Sequence, residues 1–385
     1  MIEMHINFIK WSILVATLYF QLFANSKNNS CIDQSVDSLS ELRWAVEIFD
    51  EGMEEEIGYL LSAGNQVFVV SAAKIISFDS DGKKLWTRAR WPKSPVVIRG
   101  EKIFFTSEER KSRMQAVDMN NNLVIEDFWM PEVVSNSYLV LFEPVNNGLI
   151  AQVQYWPDPD EGEISFTDYL IMDGGLGPVW EKSFDDEKSK VIPIVDIEKQ
   201  FLVTSTRKEV FVIDINSKKI NPNIISTFPL PLGQNTSWLS SDNDGVLYWS
   251  GNTNETTVII ATDIQGTEKW SWKSDPITFA GEAIPIIPPI VGADVVYLLT
   301  SRKLFAIKNG KSEWSVDSEE EKFIAAVVLN DDKLIVTKEN SMLLMNPEGG
   351  IISDFLFEEN LVTAPVVDEA GHIYAASATK LFAVK

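Results

Sequence analysis

From residue 41 onward the chain is written in short apolar runs broken by Gly, Asn and Asp. QVFVVS (66–71), KIFFTS (102–107), GLIAQVQ (148–154) and QFLVTS (200–205) are followed by GVLYWS (245–250), DVVYLLT (294–300), DKLIVT (332–337) and GHIYAAS (371–377). β-Branched and aromatic residues dominate them, so each predicts a strand. No stretch after the first 26 residues carries the 3.6-residue apolar period of an amphipathic helix. The predicted class is all-β.

A second run follows each of these, and in three it ends alike: apolar pair, small residue, Asp or Lys, a Gly turn, Trp. The clearest copies are ISFDSDGKKLW (76–86), VIIATDIQGTEKW (258–270) and LFAIKNGKSEW (304–314). The place of Asp79 recurs as Asp118, Asp173, Asp214, Asp263, Lys308, Asn346 and Val384, at intervals of 38 to 55 residues. A loose period of this kind marks propeller blades. Shorter runs (SPVVI, VIPIV, IPPIV, IAAVVL, TAPVV) precede the main ones and give each unit four strands. Such a sheet buries both faces only by stacking on its neighbours.

The eighth unit stops at LFAVK, before its last strand, and ELRWAVEIF (41–49) can supply it. The expectation is an eight-bladed β-propeller of four-stranded antiparallel blades, closed by the N-terminal strand. Seven blades is the alternative, because the fourth unit is weak. Trp44, Trp86, Trp180, Trp270 and Trp314 are expected to be packing residues that dock one blade on the next.

The N-terminus changes the picture. Trp11–Ala24 is an apolar run of 14 residues, preceded by Lys10 and followed by Asn25 and Ser26. It is short for a bilayer span but has the form of a secretory h-region. Residues 1–26 are therefore expected to be a signal peptide, 27–40 a linker and 41–385 the propeller. The mature chain is expected in the periplasm, at the outer envelope or outside the cell. Cys31 is the single cysteine, which excludes an intrachain disulfide and a cysteine-based metal site. Its position after the apolar run makes it a candidate for lipidation. The flanking Lys27 and Asn28-Asn29-Ser30 fit a lipidation signal poorly. Asn235-Thr-Ser237 and Asn254-Glu-Thr256 match the glycosylation sequon.

A formal net charge of -23 argues against nucleic acid as a partner, since a phosphate backbone would be repelled. Of the two histidines, His5 lies in the leader and His372 follows a turn, where a structural role is expected.

The repeat resembles the tryptophan-docking motif of the pyrroloquinoline-quinone (PQQ)-like, quinoprotein-type propeller family. Ala261-Thr-Asp263 with Gly266 and Trp270 matches best. Ala306-Ile-Lys308 with Gly310 and Trp314, and Ser77-Phe-Asp79 with Gly82 and Trp86, are similar. Asp173, Gly177 and Trp180 are one residue short, and blades two, four and seven lack the Trp. The resemblance covers residues 41–385.

Two branches of the family are relevant. Its dehydrogenases hold PQQ and calcium, with an Asp base and commonly a vicinal disulfide. Here one cysteine rules out that disulfide, and the five innermost runs carry no charge. Calcium needs several oxygen ligands and a general base needs a titratable group. No catalytic, cofactor-binding or metal-binding residue is assigned, and no cofactor is expected. The resemblance points instead to the non-catalytic branch of the outer-membrane assembly lipoprotein BamB. It implies an exported scaffold that binds protein. The alternative is a PQQ- and calcium-dependent dehydrogenase-like or small-ligand-binding propeller.

The loops between second and third strands are mostly short, but residues 155–168 are not. They combine Tyr155, Trp156 and Phe166 with Asp158, Asp160, Glu161 and Glu163. Aromatic anchors in an acidic rim suit protein recognition, and these residues are the candidate partner site.

Overall fold

The computed structural model describes residues 36–385 apart from 51–54, 91–94, 107–112, 130–136, 146–147, 156–164, 173–177, 185–190, 197, 217–221, 254 and 277–283. The fold is an all-β propeller, and the described residues form eight four-stranded sheets. Seven of them are formed by four strands consecutive in the chain, and these are blades 1 to 7. We label the strands of a blade a to d in sheet order. The paired strands are antiparallel, as in blade 1 (Ile57–Ala63, Gln66–Ser71, Lys74–Asp79, Lys84–Ala89). Among the described residues the one helical element is the 3-10 turn Gly233–Asn235, and no helix is long and apolar enough to cross a membrane.

Blade 8 is assembled from both ends of the described chain. Its a, b and c strands are Val366–Val367, Ile373–Ala376 and Lys380–Val384, and its d strand is Leu42–Glu47. Leu42 pairs with Val384 and Glu47 with Lys380. Where other blades have a c–d turn, the Ser40 N–H donates to the Lys385 carbonyl at 2.7 Å and the Lys385 N–H to the Glu41 carbonyl at 3.1 Å.

The apolar pattern fits this arrangement. The b and c strands are covered on both faces, so they read as continuous apolar runs: Val67, Phe68, Val69 and Val70 are all fully buried. The d strands, at the sheet edge, alternate exposed and half-buried positions, as in Lys84–Ala89 and Ile351–Leu356.

The chain divides into two compact units. One comprises the described parts of 1–93, 292–308 and 312–385, and the other those of 94–291 and 309–311. In the first, blade 8 packs on blade 1 through Tyr374, Leu381 and Ala383 against Leu60, Val67 and Phe78. Blade 7 packs on blade 8 through Ile335 and Leu344 against Ile373, Phe382 and Val384. Val36 and Leu39, in the span expected to be linker, are buried in that same layer. In the second unit Ile150 of blade 3 meets Val195, Leu202 and Ile213 of blade 4. Each fully buried aliphatic side chain contributes about 1.5–3 kcal/mol, so these sheet-to-sheet layers carry the stability of the fold.

Candidate functional site

The repeated residues form a cross-strand row. In blade 1, Phe68 on strand b pairs with Ser77 on c, and Ser77 with Trp86 on d. Blade 5 aligns Tyr248, Ala261 and Trp270, and blade 8 aligns Tyr374, Ala383 and Trp44. In blade 6 Tyr297 pairs with Ala306. The small central residue lets the two rings meet above it. The ring centroids of Phe68–Trp86, Tyr248–Trp270, Tyr297–Trp314 and Trp44–Tyr374 are all 5.8 Å apart, with interplanar angles of 45–47°.

The Trp then reaches the next blade. Trp44 Nε1 donates to the Ser80 carbonyl at 2.9 Å, and Trp314 Nε1 to the Pro347 carbonyl at 2.7 Å. Both acceptors directly follow the turn residue, Asp79 or Asn346. Each ring lies under the turn glycine, where an added Cβ would stand 2.9 Å from Trp44 at Gly82 and 2.6 Å from Trp314 at Gly349. These glycines have φ of +83° and +86°, so the left-handed turn and the close approach both demand Gly. At Gly310 the close neighbour is instead the backbone: an added Cβ would stand 2.9 Å from the Ser271 carbonyl oxygen and 3.3 Å from Trp270 Cβ. Trp180 pairs with Leu170 across the strands; its side chain lies outside the described residues.

The blades without Trp keep parts of the device. In blade 4 the Trp position is Ser226, opposite Val212. Ser226 Oγ donates to the Ile264 carbonyl, the equivalent of Ser80 and Pro347, while Phe228 occupies the space under Gly266. In blade 7 the position is Ser353, opposite Leu344. Blade 8 has no c–d turn to receive a Trp, and Ser353 Oγ instead accepts the Leu39 N–H at 2.7 Å. In both blades the residue opposite on strand c is larger than Ala or Ser and fully buried: Val212 in blade 4 and Leu344 in blade 7.

The turn carboxylates are engaged locally. Asp79 Oδ1 accepts the Asp81 and Lys83 N–H groups at 3.0 and 2.8 Å, and Asp263 Oδ1 those of Gln265 and Thr267. The Thr267 N–H is the first cause holding the Asp263 carboxyl below its usual range; slight burial opposes it and the Gln265 N–H assists. A second use of Asp occurs in a–b turns with the spacing Asp-x-x-Gly-x-x-Tyr. Asp242 binds the Asp244 and Val246 N–H groups and the Tyr248 hydroxyl, each at 2.8 Å. Asp368, 2% exposed, binds the Ala370 and His372 N–H groups, faces His372 Nδ1 at 2.8 Å and accepts the Tyr374 hydroxyl at 2.8 Å. Burial first, and then the neighbouring Asp, drives the Tyr248 and Tyr374 phenols well above their ordinary range. Burial, then the charges of Asp332 and Glu348, push Tyr297 up to about 12. This spacing was the signal for the Asp–Tyr pairs, which a search for the Asp–Gly–Trp phrase passes over.

The b–c turns carry a third device. Glu55 and Glu359 precede strand a of blades 1 and 8 and make the same contacts. Glu55 binds Ser71 Oγ at 2.6 Å and Lys74 Nζ at 2.5 Å; Glu359 binds Ser377 Oγ and Lys380 Nζ, both at 2.5 Å. Burial works against the charge of Glu55, but the Lys74 and Ser71 bonds outweigh it and lower its pKa. The bond from Lys380 is the main cause lowering that of Glu359. Arg90, 6% exposed, donates from Nε and Nη2 to the Ser71 carbonyl at 2.9 and 2.6 Å.

Of the candidate partner loop, Trp156, Asp158, Asp160, Glu161 and Glu163 lie outside the described residues. The strands that present it are described: Gly148–Tyr155 and Ser165–Met172 pair in register, with Tyr155 opposite Ser165 and Phe166 opposite Gln154. Cys31, the leader, Asp173, Gly177 and Asn254 also lie outside the described residues. Among the described residues no group of three or more His, Cys, Asp or Glu side chains could hold a metal ion.

No family model and no curated protein matches this chain. Solved structures do. Hsv2 of Kluyveromyces lactis with complete loop 6CD is 7% identical, covers 80% of this chain and 99% of its own, and superposes with a TM-score of 0.51. Hsv2 of Kluyveromyces marxianus is 6% identical over 75% of this chain and 92% of its own, at 0.49. BamB from Moraxella catarrhalis is 13% identical over 84% and 82%, at 0.40. At these identities the likeness is one of fold, and the K. lactis structure is the one of the three close enough to bear on it.

Proposed function

We propose that this chain is an exported, non-catalytic propeller of the PQQ-like repeat type. In this reading it serves as a protein-binding scaffold at the cell envelope or outside the cell, with residues 155–168 as a contact. The observation that supports it is the state of the buried carboxylate Asp368. It accepts two backbone N–H groups and a phenol, and stands at 2.8 Å from an imidazole nitrogen. A carboxylate so engaged has little capacity left to carry a substrate proton or hold a cation. The repeated acids Asp79, Asp242, Asp263, Glu55 and Glu359 are likewise committed to their own turns. A frame that consumes its chemistry internally leaves its loops as the variable surface.

The test is affinity capture from solubilised envelope with residues 27–385, beside a copy in which 155–168 is cut to a Gly-containing turn. A partner held by the first and lost by the second supports the reading. Saturable quenching of tryptophan fluorescence by PQQ with calcium would overturn it in favour of a cofactor-binding propeller.

A further inference from the structure

The d strands differ in how they guard the sheet edge. An edge strand offers unpaired N–H and C=O groups to any passing strand, and charges are the usual protection. Blade 1 places Lys84 and Arg88 there, blade 5 Glu268, Lys269 and Lys273, blade 6 Lys311, Glu313 and Asp317, and blade 8 Arg43 and Glu47. Blade 4 has no charge in its d strand, Ile224–Pro229, and exposes Ile224 by 39% and Ile225 by 38%. Blade 7 is the more exposed. Its d strand, Ile351–Leu356, exposes Ile351 by 57%, Ile352 by 41% and Leu356 by 68%, with Asp354 as its one charge. The two positions before the Trp site are β-branched in every described blade that lacks the Trp: Val124 and Ile125, Ile224 and Ile225, Ile351 and Ile352. No Trp blade has two there.

We propose that the edge of Ile351–Leu356 pairs with an extended segment of a partner protein. That segment would alternate apolar residues and carry Lys or Arg at its ends. The backbone is set for it. The Phe357 N–H donates inward to the Asn340 carbonyl at 2.8 Å, so in an antiparallel ladder Leu356, one residue earlier, turns its N–H outward. The charge of the occupant follows from the rim: exposed Glu348 and Glu358 flank the strand and exposed Asp354 sits within it. A second copy is disfavoured on the same ground, since each copy brings a net charge of -23. This surface is separate from residues 155–168, so either assignment can fail alone.

The probe is a fluorescent peptide, KKVTVTVKK, titrated with residues 27–385 and followed by anisotropy. EEVTVTVEE and a backbone N-methylated KKVTVTVKK are the controls. The expected result is saturable binding that weakens about tenfold with the acidic peptide, because like charges meet across the edge. Binding is lost with the N-methylated peptide and with Leu356→Pro, is kept with Leu356→Val, and survives shortening of 155–168. Circular dichroism of Leu356→Pro verifies the fold, since proline is tolerated where no ladder bond is made. Absence of binding, or equal binding by Leu356→Pro, overturns the proposal. Self-association that Leu356→Pro abolishes would also overturn it, by making a second copy the occupant.

Discussion

The indole Nε1 of Trp314 donates to the carbonyl of Pro347 at 2.7 Å while the same ring lies beneath Gly349. One side chain thus satisfies a turn carbonyl of the next blade and fills the space that the turn leaves. It also meets Tyr297 of its own blade, which makes it a tie between two sheets.

Gly349→Ala tests that tie. The new Cβ would stand 2.6 Å from the Trp314 ring on a backbone with φ of +86°. The expected cost is about 2–3 kcal/mol, from left-handed strain and a ring forced aside. Gly64→Ala is the control: φ is +55° but nothing lies within 4 Å, so about 1 kcal/mol is expected. Urea midpoints at unchanged slope measure both.

The small residue between two rings is equally specific. Ala261 is fully buried between Tyr248 and Trp270, so Ala261→Leu should cost about 1–3 kcal/mol by overpacking. At the equivalent place in blade 7, Leu344 is fully buried opposite Ser353. There the reverse change, Leu344→Ala, should cost about 2–5 kcal/mol by opening a cavity. If blade 7 tolerated alanine as blade 5 does, the Leu344 side chain would not be a packing element of its layer.

Acid should loosen the b–c turn of blade 8. The folded pKa of Glu359 lies below its ordinary value of 4.5. Its contribution is therefore present above that value and lost as pH falls through the folded pKa. Glu359→Gln is expected to flatten the fall in stability below pH 4.5, with little change in slope near neutrality. Denaturation midpoints across that range decide it.

The buried phenols predict an alkaline signature. Tyr248 and Tyr374 are held above the ordinary tyrosine range and Tyr297 is pushed up to about 12. Difference absorbance at 295 nm should show these three ionising only as the protein unfolds. Tyr374→Phe removes a bond to the Asp368 carboxylate and should cost about 1.5–3 kcal/mol.

Much of the frame was legible because the repeat is chemical as well as periodic. Asp79, Gly82 and Trp86 each answer a local demand: turn N–H groups, a positive φ, and a gap beside the neighbouring sheet. The strand at 42–47 was legible because unit eight lacked its partner. The Trp-less blades were harder to read. Ser226 and Phe228 divide between them what one Trp does elsewhere, a hydrogen bond in one residue and bulk in another, so no single position carries the signal. The Asp–Tyr pairs were visible as a spacing but sit in a–b turns rather than in the Trp-bearing phrase. The edge of Ile351–Leu356 could not be read at all without exposures, because exposed and buried isoleucines look alike in sequence.

The way blade 8 is made has a consequence for biogenesis. Strand Leu42–Glu47 is among the first described segments to be synthesised, and its partner, Lys380–Val384, is the last. A chain emerging N-terminus first can complete blades 1 to 7 from neighbouring segments, but must keep this strand unpaired until Lys380–Val384 has been made. Among the described strands the pairing of greatest sequence separation is thus also the last that can form, and a chain cut short before Lys380 would leave Trp44 and an open strand available for misassembly.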